Sequence, residues 1–148
     1  MDRSLTKEIG YLNHMIRKYM SGDHEPHKEF NFTQFQVIGY LFRHQDEDIC
    51  QKDLEAETGL KKASMTGCLD ALEKKGAIIR ETAKDDRRRN YIRMTDRMRK
   101  VEKDFRERNS RLDSLITKNI CESDLEVFLK VMDQIRENIR EAEHETDI

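Results

Sequence analysis

The sequence is short of the residues that interrupt or cross-link a chain. Its 148 residues include one proline, six glycines, three cysteines and no tryptophan. Because proline and glycine weaken helices most, their scarcity favours a mostly helical protein. The chain also lacks an apolar run near the ~18 residues of a membrane helix, and it has no signal-peptide segment. We therefore expect a soluble, cytoplasmic protein without a membrane partner.

Hydrophobic residues are also few. They make up 36% of the chain, against 39% charged residues, although the length suffices for about one domain with its own core. Such a composition is typical of long amphipathic helices with solvated outer faces. Helices of this kind often bury their apolar faces against a partner chain.

The net charge of −2 conceals a basic block in the middle of the chain. Residues 61–100 carry 13 Lys and Arg against 6 Asp and Glu, a balance of +7, whereas the segments before and after carry −4 and −5. A basic surface beside acidic helices directs a polyanion to one face. Charge runs usually form only a solvated surface, but this one falls on a recognisable scaffold and therefore indicates nucleic acid.

Hydrophobic periodicity predicts a single unit over residues 1–148. A first helix ends at the Ser21-Gly22 break, and residues 21–31, with Pro26, form a loop. Thr33-Gln34-Phe35-Gln36 has the spacing of a capping box, which begins a second helix to about Arg43.

The next segment has the order helix, turn, helix, hairpin. Its pieces are a helix at 49–57, a turn at Thr58-Gly59-Leu60, a helix at 61–75 closed by Gly76 as a left-handed cap, and strands at 77–82 and 89–94. This order predicts a winged helix-turn-helix over residues 33–95. In that fold the second helix of the pair lies in the major groove of duplex DNA and the hairpin tip reaches an adjacent minor groove.

Two further helices complete the predicted architecture, which is mostly α with a small β-hairpin wing. Thr95 is predicted to cap a long helix to about Asn119, and Ser123-Asp124-Leu125-Glu126 to cap the last one.

The terminal helices have apolar stripes but little surface to cover them in so small a chain. Pairing the same helices from two copies buries these stripes, which predicts a homodimer with residues 1–20 and 96–143 as the dimerisation region. The predicted interface residues are Leu5, Ile9, Leu112, Leu125, Leu129, Met132 and Ile135. The alternative is a monomer whose last helix folds back onto its body.

The second helix of the helix-turn-helix carries the first group of candidate DNA-binding residues. Its inward face is predicted to be Met65, Cys68, Leu69 and Leu72. The first turn offers unpaired backbone N–H groups to a phosphate. Lys61 and Lys62 are predicted to supply charge there, and Ser64 and Thr66 to read base edges. The small Gly67 lets the DNA approach closely, or is a tolerated defect that costs about 1 kcal/mol.

The hairpin tip carries the second group. Arg87, Arg88 and Arg89 are consecutive on a short loop, where like charges repel unless an anion is bound. Arg88, nearest the tip, is predicted to enter the minor groove, with Arg87 and Arg89 on phosphates. Asp85 and Asp86 are predicted to order the loop rather than to touch DNA.

These segments resemble the multiple-antibiotic-resistance regulator (MarR) family of winged helix-turn-helix repressors over nearly the whole chain. The most specific element is the wing signature of Asp, any residue and Arg, followed at a fixed distance by Leu-Thr. Asp86, Arg88 and Met94-Thr95 fill those places, with Met for Leu. The other matching runs are residues 33–37, 51–54 and 69–76. The resemblance implies a homodimeric transcription regulator that is not an enzyme, usually a repressor, often relieved by a small aromatic or anionic effector or by thiol oxidation.

The resemblance also bears on small-molecule chemistry. In such relatives the effector lies between the first, second and fifth helices, which implies Tyr11, His14, Tyr40 and Phe105 as weak candidates here. Zinc-responsive relatives use paired histidines in the helix after the wing, and this helix has none. Neither a metal nor a cofactor is expected, although a loop cluster of Asp23, His24, Glu25 and His27 remains a weaker metal alternative.

Two other functions stay open. Cys50 stands at a helix N-terminus, which favours a thiolate and leaves a redox-sensing regulator as an alternative. Cys68 and Cys121 are predicted to be inert. A protein-interaction module on the same fold is the other alternative. An enzyme would need a convergent nucleophile and base, and no such grouping falls on one element or on neighbouring ones.

Overall fold

The computed structural model describes residues 3–22 and 27–146, which form seven helices and one antiparallel hairpin. The elements are α1 (Leu5–Met20), α2 (Phe32–Arg43), α3 (Gln51–Thr58), α4 (Lys62–Lys74), β1 (Ile78–Thr82), β2 (Asn90–Met94), α5 (Asp96–Arg99), α6 (Glu102–Thr117) and α7 (Glu122–Thr146). The predicted fold class is confirmed, with one helix more than expected. Pro26 and three members of the weaker metal cluster, Asp23, His24 and Glu25, lie outside the described residues.

The capping box of α2 is two residues earlier than predicted. The Asn31 side chain accepts a hydrogen bond from the Gln34 backbone N–H, and the Gln34 side chain accepts one from the Asn31 N–H, both at 2.9 Å. The prediction at Thr33 and Gln36 was therefore wrong. Asn is as good an N-cap as Thr, and both pairs have the required spacing, so the sequence offered two overlapping starts.

The helix predicted from residue 49 begins at Gln51 instead. Ile49 is buried, and its carbonyl accepts a hydrogen bond from the Ile92 N–H at 2.7 Å, while Cys50 forms a β-bridge with Tyr91. These two residues are thus extended and lie beside β2. Their pairing with the wing, not helix propensity, sets where α3 starts.

The long helix predicted after the wing is interrupted, and Thr95 does not cap it. The hydroxyl of Thr95 donates to the backbone carbonyls of Gly76 and Ala77, at 2.8 and 3.3 Å, and α5 ends at Arg99 before α6 begins at Glu102. This hydroxyl therefore joins the end of β2 to the segment that precedes β1.

The last predicted capping box is also wrong. Because α7 begins at Glu122, Ser123 lies inside its first turn, where the Leu125 N–H donates to the Cys121 carbonyl.

The described residues form two compact units, one that ends at Arg108 and one that begins at Asn109. The first has one hydrophobic core, built mainly from Phe30, Val37, Ile38, Leu41, Ile49, Leu54, Met65, Leu69, Leu72, Ile78, Ile92, Met98 and Phe105. This core explains why the unit extends beyond residue 95: Met98 and Phe105, after the wing, are almost fully buried in it.

The second unit, which comprises the end of α6 and all of α7, leaves much apolar surface exposed. Leu125, Met132 and Ile135 are half-buried, and no residue of α7 is fully buried. The apolar side chains of α7 that are at least half accessible to solvent are Val127, Phe128, Leu129, Val131 and Ile139. In the first unit, Leu5, Leu12 and Met15 of α1 are half-exposed as well. No helix of the described residues is long and apolar enough to span a membrane.

Candidate nucleic-acid interface

The turn between α3 and α4 positions the recognition helix. Gly59 has a φ of +72°, and its N–H closes α3 by donating to the Glu55 carbonyl at 2.8 Å. Glycine adopts this left-handed conformation without the penalty that a side chain brings. Behind the turn, Leu54 of α3 packs in the same core as Met65 and Leu69 of α4, and all three are fully buried. The two helices are therefore held as one rigid pair.

The outer face of α4 carries the predicted DNA-binding side chains. Lys61, Lys62, Ser64 and Thr66 are all exposed, while the predicted inward face is buried except for half-buried Cys68. Lys61 occupies the N-cap position, and no side chain caps the helix there. The first backbone N–H groups of α4 are thus available to an anion.

Gln51 contacts α4, which sequence reasoning missed. From the start of α3 its amide donates to the Thr66 hydroxyl at 2.9 Å and to the Lys62 carbonyl at 3.2 Å. The Thr66 hydroxyl itself donates to the Lys62 carbonyl at 2.9 Å. Periodicity within a helix does not report contacts between helices. The order of the two helices along the chain indicated that they pack together, but not which side chains meet.

The exposed face of α4 has an open surface at Gly67. A Cβ built on this glycine meets no atom within 4 Å. Packing within the described chain therefore does not require glycine here.

The hairpin is in register from Ile78 opposite Met94 to Thr82 opposite Asn90. Beyond the strands, the Ala83 N–H donates to the Arg89 carbonyl at 2.8 Å, which extends the pairing to the tip.

Asp86 orders the tip. Its carboxylate accepts a hydrogen bond from the Arg88 N–H at 2.9 Å, and its carbonyl accepts one from the Arg89 N–H at 3.0 Å. Asp85 makes no hydrogen bond or ion pair with any described residue. The two aspartates therefore differ, although the sequence reasoning gave them one role.

Two arginines on the strands attach the wing to the rest of the unit. Arg80 of β1 pairs with Asp70 of α4 at 2.7 Å. Arg93 of β2 pairs with Asp48 at 2.5 Å and with Glu81 at 3.3 Å. The hydrogen bond to Asp48 is the main cause that raises the pKa of Arg93 above its ordinary value.

The basic side chains thus form two classes. Arg80 and Arg93 are neutralised by carboxylates, whereas Lys61, Lys62 and the arginines 87–89 have no ion pair within the described residues. These five unpaired basic side chains lie at the start of α4 and at the hairpin tip.

The four weak effector candidates do not form one cluster in the single chain. Tyr11 and His14 are exposed on α1. Tyr40 stacks on His44 with ring centroids 4.1 Å apart, and burial is the first cause that raises the pKa of its phenol, with nearby carboxylates adding to the shift. Phe105 is buried among aromatic rings, 4.8 Å from Phe35. No hydrogen bond or ring contact among the described residues joins the α1 pair to the other two.

The cysteines lie in three different environments. Cys50 is half-buried and its thiol donates to the Asp53 carboxylate at 3.2 Å. Cys68 is half-buried, and burial raises the pKa of its thiol. Cys121 is exposed beside Ser123.

His27 of the weaker metal cluster pairs with Asp104 at 2.9 Å, and within the described ranges no three His, Cys, Asp or Glu side chains are grouped to hold a metal.

Comparison with known proteins points to one family. Residues 29–89, which span α2 to the wing tip, match the profile of the MarR family. The HTH-type transcriptional repressor YetL of Bacillus subtilis is 22% identical over 128 residues, covering 86% of this chain and 74% of YetL.

Solved structures share the fold at low sequence identity. The S. aureus MepR–DNA complex superposes with a TM-score of 0.84 at 17% identity, covering 93% of this chain and 99% of MepR. The MarR regulator of Oenococcus oeni PSU-1 gives 0.77 at 20% identity, covering 90% and 99%. PcaV of Streptomyces coelicolor, solved with its natural ligand, gives 0.73 at 16% identity, covering 90% and 89%. The winged helix-turn-helix arrangement is therefore shared across all three.

Proposed function

We propose that the chain is a transcription regulator of the MarR family, whose profile matches residues 29–89, and that it acts as a homodimeric repressor of a near-palindromic DNA operator. The observation that carries this proposal is the unpaired basic charge on α4 and the wing. Lys61, Lys62 and the arginines at 87–89 have no carboxylate partner among the described residues, unlike Arg80 and Arg93. Duplex DNA supplies the missing anions as two rows of phosphates.

The two elements have different tasks in this proposal. The exposed face of α4 enters the major groove, where Ser64 and Thr66 reach base edges and Lys61 and Lys62 contact phosphates. The wing tip reaches the neighbouring minor groove. There Arg88 enters the groove, while Arg87 and Arg89 contact phosphates. The Asp70–Arg80 pair supports this division because it ties α4 to β1 and so keeps the two elements in one relative position.

The exposed apolar surfaces support a dimer. Val127, Leu129 and Val131 of α7 are each at least half accessible, and α1 exposes Leu5 and Ile9. Exposed apolar side chains in such number usually mark a protein interface. A two-fold pairing through α1, the end of α6 and α7 covers it, and it places the two recognition helices about 34 Å apart, one turn of DNA.

The proposal also includes relief of repression by a small molecule. YetL is named a repressor and PcaV was solved with its natural ligand, which supports both repression and an effector. We place a small aromatic or anionic effector near Tyr11, His14, Tyr40 and Phe105. It releases DNA by binding more tightly to a dimer with the wrong helix spacing, and a coupling of about 1 to 3 kcal/mol is typical.

Footprinting on the DNA upstream of the protein's own gene, with binding measured across salt concentrations, tests the function. We expect a protected near-palindrome and an affinity that falls steeply with salt. Replacing all three wing arginines by Ala should flatten the slope of log K against log salt by about 2 to 3 units. Lys130→Ala, which removes one positive charge from the polar face of α7, is the control and should leave the slope unchanged.

The outcomes separate the candidate functions. An unchanged slope in a folded wing variant would remove the wing from the DNA interface. Absence of specific duplex binding by the wild-type protein would favour the protein-interaction module instead.

A further inference from the structure

The hydroxyl of Thr66 is occupied within the protein. It donates its proton to the Lys62 carbonyl at 2.9 Å and accepts a hydrogen bond from the Gln51 amide, also at 2.9 Å. A threonine hydroxyl has one proton and two lone pairs. One lone pair is therefore all that remains for a ligand, and Thr66 has no proton left to donate.

These bonds also select the side-chain conformation. In helices, Thr divides between two rotamers because its oxygen can bond to a carbonyl in the preceding turn. Here the Gln51 amide bonds both to the Thr66 oxygen and to the Lys62 carbonyl at 3.2 Å, so it favours the rotamer in which the hydroxyl turns back onto the helix. The other substituent on Cβ is the methyl group, and the residue is exposed. Thr66 consequently presents a methyl group.

The surroundings of this methyl group allow close approach. Gly67 follows it, with open space where a Cβ would lie. Ala63, one turn earlier on α4, is also exposed and also small. The surface around Thr66 is thus flat and free of competing side-chain donors from these two positions.

We propose that Thr66 recognises the 5-methyl group of a thymine, and that Gln51 is the positioning residue that holds Thr66 in the methyl-presenting rotamer. This inference rests on the proposed function, in which α4 lies in the major groove. Thymine is the base that displays a methyl group there. The guanine edge presents only the acceptors N7 and O6, which need a donor that Thr66 no longer has.

A chemically minimal probe is available for this contact. The wild-type protein first selects a duplex from a random library, and each thymine of that duplex is then replaced in turn by deoxyuridine, which removes the methyl group alone. We expect one position in each half-site at which the replacement weakens wild-type binding about fourfold, the effect of one buried methyl group.

Four variants identify the protein side of the contact. Thr66→Val retains a methyl group and should keep the thymine–uracil difference, whereas Thr66→Ser retains only the hydroxyl and should abolish it. Gln51→Ala should reduce the difference because the rotamer is no longer held. Gln45→Ala is the matched control, since the Gln45 amide donates to the Phe42 carbonyl, on another element. Circular dichroism and thermal unfolding establish that each variant is folded.

The inference is overturned if no thymine replacement affects wild-type binding, or if Thr66→Ser keeps the full difference. A difference that survives in Thr66→Ser but not in Thr66→Val would assign the thymine methyl group to a residue other than Thr66 and would likewise overturn the inference. Full discrimination in folded Gln51→Ala would remove the positioning role. If the wild-type protein binds no duplex, the proposed function itself fails, a result distinct from tight binding without a thymine–uracil difference.

Discussion

Gly67 is the residue whose presence the fold of the chain explains least. It lies in the middle of α4, exposed, and a side chain there would meet nothing within 4 Å. A glycine inside a helix costs about 1 kcal/mol relative to alanine. Since no contact in the described chain offsets that cost, the proposed function offers the reason: DNA occupies the space.

Gly67→Ala should therefore stabilise the protein and weaken operator binding at once. We expect the free energy of unfolding to rise by about 1 kcal/mol, as measured in urea, and the affinity to fall because the new methyl group enters the space of the DNA. Gly10→Ala is the matched control, because Gly10 is also helical and also open, but lies on α1. Unchanged affinity in Gly67→Ala would mean that the DNA does not approach this face closely.

Cys50 allows a test of the redox alternative. Its thiol donates to the Asp53 carboxylate at the start of α3, where the Asp53 carboxylate also accepts from the Cys50 N–H at 2.9 Å. Serine is a better N-cap, so Cys50→Ser should raise the free energy of unfolding by about 0.5 to 1 kcal/mol. We expect mild peroxide to leave operator affinity within about twofold in both proteins, because a redox switch needs an exposed thiolate near a resolving partner.

The contrary result for Cys50 is specific. Release of DNA by peroxide that disappears in Cys50→Ser, and is reversed by reductant in the wild-type protein, would establish a thiol sensor.

At the scale of elements, the wing is held by hydrogen bonds at its tip and by ion pairs on its strands. The carboxylate of Asp86 accepts a hydrogen bond from the Arg88 N–H, whereas Asp85, one residue earlier, has no hydrogen bond or ion pair with a described residue. This difference separates two physical effects. Removing either carboxylate lowers the repulsion of phosphates, but only removal of Asp86 loosens the loop.

Asp86→Ala should weaken operator binding even though it removes a negative charge from a DNA-binding loop. The loss of one hydrogen bond, about 0.5 to 1.5 kcal/mol, implies a decrease of about two- to tenfold. Asp85→Ala should leave the affinity unchanged or increase it. Titration of both variants with the selected duplex at one salt concentration makes the comparison, and tighter binding by Asp86→Ala would show that charge outweighs order.

Element boundaries were predicted best where local chemistry sets them. The strands and α4 agree with the sequence within a residue, because Gly76 ends α4 in the left-handed conformation and the charged tip separates two short β patterns. The break between α5 and α6 at Lys100 and Val101 was missed, since neither residue type is a helix breaker. The start of α3 was misplaced because pairing with β2 holds Ile49 and Cys50 extended, and the start of α2 because two capping-box patterns overlap in the sequence.

At the scale of the whole molecule, the exposed face of α7 predicts the assembly. Val127→Glu with Val131→Glu places two charges on surface that is at least half accessible in the single chain. The chain should still fold, but burying these charges in an interface is costly, so we expect monomers without operator binding. Light scattering after size-exclusion chromatography measures the mass, and Lys130→Glu, which makes the same change in net charge on the polar face of α7, is the control.

The dimer prediction fails in one clear way. A wild-type protein that is monomeric at micromolar concentration would exclude the two-fold arrangement, whatever the double variant does.

The sequence by itself determined the elements and the location of the basic charge. Periodicity identified the inward face of α4, and composition placed the positive balance in residues 61–100, because both properties belong to local runs of residues. Tertiary structure decided which of those charges are neutralised. Arg80 and Arg93 are paired and the tip arginines are not, which no reading of adjacent residues distinguishes. It likewise joined Gln51 to Thr66 across fifteen residues. Such contacts depend on how helices and strands pack against each other, and this is a property of distances in space rather than of spacing along the chain.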